Sequence, residues 1–86
     1  MASDLDGMRI LIIATNYGVE QDELVVPLEQ LSERGARVTV AGKETTPIQT
    51  LVGDKDPGRK VDVDIAIDDA DESDYDALVI LSLIHI

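Results

Sequence analysis

The residues best suited to chemistry in this chain follow its first apolar run. Thr15-Asn16-Tyr17-Gly18 comes directly after Met8 to Ala14, and the acids Glu20, Asp22 and Glu23 come next. Glu20 and Glu23 are three apart, so on a helix they share a face. Like charges at that distance push one pKa up, which suits a carboxyl that donates a hydrogen bond at neutral pH. A plainer reading stays open beside it. Acids in a first helical turn interact favourably with the helix dipole, worth ~0.3–1 kcal/mol each. Phosphate binding is the first ligand chemistry to test here. Neither GxGxxG nor GxxxxGK[ST] is present, and three acids crowd the helix start, where a phosphate needs bare N–H groups and positive potential. Nucleotide and flavin binding are therefore disfavoured. A phospho-receiver site needs paired acids at the end of the first strand, and Ala14-Thr15-Asn16 does not supply them.

Other chemistries are thin. Cys is absent from the 86 residues, which removes disulfides, thiolate metal sites and a thiol nucleophile from this stretch. His85 is the sole His; it lies in an apolar tail and supports no triad by itself. An acidic stretch invites a calcium reading, but the EF-hand loop wants Gly at position six and Glu at twelve. Counting from Asp62 places Ile67 at six; counting from Asp69 places Asp74 at six and Ile80 at twelve. Both fail, so no metal site is read, and no cofactor is expected.

The elements that must position Glu20 and Glu23 are legible in the pattern. Met8 to Ala14 is apolar on both faces, as in a strand covered on both sides of a parallel sheet. Thr15 to Gly18 reads as a short polar turn. In open parallel sheets, ligands bind beyond the carboxyl ends of the strands, which makes Asn16, Tyr17 and Gly18 the candidate substrate-pocket residues. From about Glu20 to Arg34 the pattern is helical, with Leu24, Leu28 and Leu31 on one stripe and Val25 beside it. Gly35 stops that helix. Pro27 lies inside it and should kink its first turns by removing the hydrogen bond to the Glu23 carbonyl; the alternative starts the helix at Pro27. Arg37 to Ala41 is a second, β-branched strand, completing a right-handed βαβ unit. Ile48 to Val52 is a short strand candidate, and Gly53-Asp-Lys-Asp-Pro-Gly58 a dense turn signal. Val61 to Asp68 alternates strictly, with Val61, Val63, Ile65 and Ile67 on one face. That predicts a half-solvated antiparallel strand, hence a hairpin appended to the parallel sheet. Asp69 to Asp76 is an acidic loop or helical turn, and Ala77 to Ile80 another buried strand. No internal repeat and no linker appears.

Composition bounds the function classes. Hydrophobic residues make up 44% and charged ones 29%, the balance of a folded chain. Seven basic against 18 acidic residues give a net charge of -11, so nucleic acid and anionic lipid are poor partners. The charge is lopsided: residues 61–76 hold eight acids and no base. These read as a solvated strand face and loop; abundant Asp with three Lys also fits a salt-rich cytoplasm. No apolar stretch approaches the ~18 residues that span a membrane, and residues 1–7 read as a flexible leader, not a signal peptide. The cytoplasm is the expected compartment.

The stretch Arg9-Ile-Leu-Ile-Ile-Ala-Thr-Asn-Tyr-Gly-Val-Glu-Gln-Asp-Glu-Leu-Val-Val-Pro27 resembles the PfpI-like family of intracellular proteases and deglycases, within the type-1 glutamine amidotransferase-like superfamily. The family pattern is an apolar strand, a short turn, G-x-E-x-x-E-[LT], Pro, and a helix ending R-x-G before V-T-V-A. Gly18-Val-Glu20-Gln-Asp-Glu23-Leu24, Pro27, Arg34-Gly35 and Val38-Thr-Val-Ala41 follow it in order. Asp74-Tyr-Asp-Ala-Leu-Val-Ile80 is similar to the family's D-x-[YF]-D-A-L-[VL]-[IL]-P-G-G strand. The resemblance covers residues 8–80 and implies an α/β, flavodoxin-like three-layer sandwich, truncated after the strand ending near Ile80, with an antiparallel hairpin insertion. It also implies a nucleophile-elbow cysteine supported by His and Glu. The Glu that hydrogen-bonds that cysteine maps onto Glu23, and Glu20 falls on the neighbouring acid. The implied partners are a small carbonyl compound, a glycated protein or a peptide, with homo-oligomers common. It further implies that Ala77 to Ile80 lies beside Met8 to Ala14.

The pattern departs at Leu81, where the family continues Pro-Gly-Gly. Leu81-Ser-Leu-Ile-His-Ile86 is what CTG TCT CTT ATA CAC ATC encodes, and so resembles the end of a transposase sequencing adapter. Residues 81–86 are accordingly expected to be a non-native tail, and His85 is not carried over as a catalytic His. Two functional readings follow. One is the N-terminal half of a cysteine-dependent hydrolase or deglycase, inactive by itself. The other is a non-catalytic α/β binding or interaction module. The uncovered sheet edge and the apolar tail further predict self-association that grows with salt, whereas a halophilic origin predicts better folding as salt rises.

Overall fold

The computed structural model describes residues 4–81; most of the expected non-native tail, with His85, lies outside them. The order is β1 (Arg9–Ala14), β2 (Tyr17–Glu20), α1 (Gln21–Glu33), β3 (Arg37–Gly42), β4 (Ile48–Val52), β5 (Asp56–Val61), β6 (Ile65–Ala66), two 3₁₀ turns at Ile67–Asp69 and Glu72–Asp74, and β7 (Ala77–Leu81). One parallel sheet runs β6-β3-β1-β7, and a separate three-stranded sheet runs β2-β4-β5. In the first sheet Ile12 lies between Val40 and Val79, so these three share a face. Leu24 and Val25 of α1 pack in the same core, together with Val19, Ile48 and Val61 from the second sheet. A single apolar cluster thus joins the helix to both sheets.

The helix begins and ends where the pattern placed it. Pro27 lies inside α1, so the shorter helix starting there does not form. At the far end Gly35 adopts φ +96, a conformation that costs a side-chain-bearing residue strain. The Gly35 N–H donates to the Ser32 carbonyl and the Ala36 N–H to Leu31, the reciprocal pair of a Schellman cap. Residues 4–7, the described part of the expected leader, form a turn. There the Leu5 N–H donates to the Arg34 carbonyl and Asp4 pairs with the Arg34 guanidinium.

Three expectations are corrected. Thr15 to Gly18 is not simply a turn, because Tyr17–Glu20 pairs in parallel with β4. Val61 to Asp68 is not one antiparallel strand, and the hairpin is not part of the parallel sheet. Its second strand is β5, where Ile48 faces Val61 and Val52 faces Asp56. The chain then crosses between sheets at Asp64. The Asp64 N–H donates to the Val40 carbonyl, and its carboxylate accepts from the Val40 N–H at 2.8 Å. Asp64 thereby occupies the edge of β3 just before β6 pairs there in parallel. The alternation holds from Val61 to Ile65, with Val61 buried, Val63 and Ile65 half-buried and Asp62 and Asp64 exposed; it lapses at Ala66 and Ile67, both half-buried, where the chain has changed partner. Finally, β7 lies beside β1 as expected, with Ile10 level with Ala77 and Ala14 with Leu81. It is not buried, however: Leu78 is 46% and Ile80 67% exposed.

Candidate active-site corner

The polar residues after β1 collect at one corner of the fold. Because β1 and β3 are parallel, the crossover through α1 must return the chain from the carboxyl end of one to the start of the other. The first turn of α1 therefore stands on the side of the main sheet where the strands end. That is the side on which open parallel sheets bind ligands.

Each candidate residue has a distinct occupation there. The Asn16 amide donates to the carbonyls of Glu44 and Thr46 at 3.0 and 2.8 Å, and its oxygen accepts from the Glu44 N–H. Its own carbonyl accepts from the Gln49 N–H. Asn16 is thus a clamp that ties the loop after β3 to the end of β1. Tyr17 projects outward, 64% exposed. Gly18 is buried with φ +98, within the irregular stretch of β2 between its two pairing points on β4. That backbone turn is what a Cβ would penalise.

Glu20 and Glu23 part company. Glu20 is the N-cap of α1 by backbone, but its carboxylate does not cap the helix. Its two oxygens accept from the Gly53 and Asp54 N–H groups, each at 3.0 Å. Gly53 and Asp54 both have positive φ, so their N–H groups converge on one acceptor. Those backbone hydrogen bonds hold the Glu20 carboxyl below the usual carboxylate range, opposite to a carboxyl kept protonated. Glu20 is in this way a latch on the β4–β5 turn. Glu23, one turn later, is exposed, and its carboxylate makes no hydrogen bond among the described residues. Gln21 does what neither acid does for β5: its side-chain oxygen accepts from the Arg59 N–H at 2.8 Å. No local pattern marks these latches, because Gln21 and Glu20 reach partners more than thirty residues away. The arrangement leaves Asp22 and Glu23, both exposed and without a side-chain hydrogen bond among the described residues, as the carboxylates at this corner free to engage a group brought to it.

The sequence profile of the DJ-1/PfpI family matches residues 8–81. The chain belongs to the DJ-1/PfpI family. Among curated relatives, it is 36% identical over 73 residues to a deglycase from Thermococcus kodakarensis, covering 85% of this chain and 40% of that protein. It is 38% identical over 74 residues to general stress protein 18 of Bacillus subtilis, covering 86% of this chain and 41% of that one. This DJ-1/PfpI chain thus spans about two fifths of the length of the curated relatives it matches. A crystal structure of a ThiJ/PfpI domain protein from Brachyspira murdochii superposes with a TM-score of 0.76 at 17% identity, over 88% of this chain and 41% of that one. The architecture is the α/β, flavodoxin-like one of that neighbour. No helix among the described residues is long and apolar enough to cross a membrane.

Proposed function

We propose that this DJ-1/PfpI chain supplies the sheet corner and the supporting carboxylate of a cysteine-dependent hydrolase or deglycase, and is inactive by itself. The observation that carries the reading is the contrast at the start of α1. Glu20 is committed to the β4–β5 turn, while Glu23 is exposed and unengaged. In the whole enzyme a thiolate would attack the carbonyl, hemithioacetal or aminocarbinol carbon of a small carbonyl compound, glycated protein or peptide. Backbone N–H groups would hold the resulting oxyanion. Glu23 would hydrogen-bond the thiol and tune its ionisation; Tyr17 and Gly18 would line the approach, with Asn16 holding the neighbouring loop. These 86 residues contain no Cys, so the covalent step needs a nucleophile from elsewhere. The cytoplasm is the compartment this reading assigns.

Two assays test the reading. Purified residues 1–86 should give no turnover of methylglyoxal, a glycated amino acid or a peptide above a Glu23→Ala control; clear excess over that control would overturn the proposed inactivity. In a longer relative carrying this N-terminal stretch, Glu23→Ala should move the ionisation seen in the pH–rate profile by roughly 1–3 units. Glu29→Ala, whose carboxylate pairs with Arg59 on the outer face, should leave it in place. An unmoved profile in the Glu23 variant would remove Glu23 from the site.

A further inference from the structure

Just before β1 the chain makes a tight turn that straps the end of α1. The Met8 N–H donates to the Leu5 carbonyl at 2.9 Å, Gly7 has φ +79, and Asp6 has no positive φ. That is a type II turn with Asp6 and Gly7 at its two central positions. Its ties run to the helix end. The Leu5 N–H donates to the Arg34 carbonyl at 3.0 Å, and Asp4 pairs with the Arg34 guanidinium. The Asp6 Cα lies 3.1 Å from the place a Cβ on Gly35 would take, so the Asp6 backbone packs directly on the helix cap. Within the turn, the Asp6–Gly7 peptide is the plane that is not held. Neither the Gly7 N–H nor the Asp6 carboxylate makes a hydrogen bond among the described residues, and both residues are exposed. Beyond its chain neighbours, Gly7 has no heavy atom within 4 Å of its Cβ position.

We propose that the Asp6–Gly7 bond is a site of spontaneous backbone modification, at which Asp6 isomerises to isoaspartate and releases the strap from the end of α1. Asp6 is the only Asp in the chain followed by Gly. A side chain on the following residue obstructs attack by that residue's nitrogen; Gly has none, and its backbone rotates freely. The reaction needs only water. The Gly7 backbone nitrogen loses its proton and attacks Asp6 Cγ, the N–Cγ bond forms, and the Cγ hydroxyl leaves as water. Water then opens the resulting succinimide ring. Attack at Cγ breaks the new bond and restores Asp6. Attack at the original carbonyl breaks the old peptide bond, so the main chain now runs through Cβ and Cγ. The mass is unchanged, the backbone is one methylene longer, and the free carboxylate sits on Cα. Ring closure requires the Gly7 nitrogen to swing toward the Asp6 side chain. That rotation leaves the Leu5–Met8 hydrogen bond in place and breaks no other among the described residues. The competing positions are better held. Asn16, the sole Asn, precedes Tyr17 and has its amide bound to the Glu44 and Thr46 carbonyls. Asp4, Asp71 and Asp76 have side-chain partners in Arg34, Ser73 and Arg9. The inserted methylene lengthens the loop that Met8 closes and moves residue 6 off Gly35. The contacts of Leu5 and Asp4 with Arg34 are therefore the ones lost.

The test is prolonged incubation of the 86-residue chain at neutral pH in heavy-oxygen water, followed by trypsin and mass spectrometry of the peptide ending at Arg9. The expected product is an isomer of that peptide with a shifted retention time and a heavy oxygen on residue 6. It should accumulate severalfold faster than an isomer at any other Asp. Asp6→Glu would have to close a larger ring, and Gly7→Ala places a side chain beside the nitrogen, so each should slow the product severalfold. Asp6→Glu leaves Gly7 and its positive φ in place, which keeps the comparison valid if Gly7→Ala disturbs the turn. The consequence is read on the aged chain. Its isomerised fraction, separated by ion exchange, should unfold at lower urea than the unmodified fraction, while Asp6→Glu aged alongside keeps its midpoint. A chain that yields no isomer at residue 6, or yields isomers equally at other Asp residues, would overturn the site. So would a heavy-oxygen product that forms as fast in Asp6→Glu. An isomerised fraction with the unmodified midpoint would overturn the release of the strap.

Discussion

The β2-β4-β5 sheet and the β7 edge of the main sheet are built on opposite plans. The small sheet is rich in polar residues, yet it is fastened at every point that matters. Glu20 latches its turn, Gln21 takes the Arg59 N–H, Gln49 donates to the Thr50 and Gly58 carbonyls, and buried Thr50 donates to the Arg59 carbonyl. No buried side-chain nitrogen or oxygen among the described residues lacks a partner. The β7 edge is the reverse: apolar in composition, held by β1 on one side and without a partner strand on the other among the described residues. Hydrophobicity alone therefore does not say which region is finished. A segment is finished when its backbone groups and side chains both have partners, and specific polar contacts supply those in the small sheet.

Paired substitutions can break or sharpen that contrast. The largest effect belongs to the fastened side. Ile48 is fully buried in β4, and Ile48→Ala should cost about 2–5 kcal/mol in urea unfolding, enough to unfold much of the population of a domain this small. Thr50→Val keeps the volume but strands the Arg59 carbonyl that the hydroxyl serves, and should cost about 1–2 kcal/mol. A loss as small as that of a surface substitution would show that the carbonyl finds water instead. Next comes Glu20, whose carboxyl titrates lower in the folded chain than in the unfolded one. Its stabilisation is therefore present above the ordinary carboxylate range and disappears as pH falls through its own lower value. Glu20→Gln should be less stable than the parent at neutral pH, and the gap should narrow on acidification. Asp4, Asp71 and Asp76 are shifted the same way and survive in the variant, so only the difference between the two proteins reports Glu20. The smallest effect is expected on the open side. Measured on dilute chain at low salt, Ile80→Ser should change unfolding stability by less than about 0.5 kcal/mol. A cost comparable to Ile48→Ala would mean that the edge is already covered within one chain.

The candidate site was legible to the extent that its signal was local. Gly18-Val-Glu20-Gln-Asp-Glu23 names both acids, and the resemblance ranks Glu23 as the supporting carboxylate. Only the folded arrangement separates their occupations, because the N–H groups that hold Glu20 arrive from residues 53 and 54. Asn16 likewise read as a pocket residue, and its engagement with the loop at residues 44–46 becomes visible only when that loop is in place.

The sequence by itself determined the elements whose signal repeats within a few residues. These are the apolar run of β1, the leucine stripe and Gly35 stop of α1, the β-branched β3, and the parallel βαβ order that follows. Burial of a continuous apolar stripe dominates those segments, and any neighbour of the right shape satisfies it. Tertiary structure decided the rest. Asp56-Pro-Gly-Arg-Lys-Val61 reads as turn and charge, yet it forms a strand because Gln21, Gln49 and Thr50 meet its backbone. Val61 to Asp68 alternates like one strand, yet Asp64 hands it from one sheet to the other. In such segments the intrinsic preference is weak, and hydrogen bonds to residues far along the chain outweigh it.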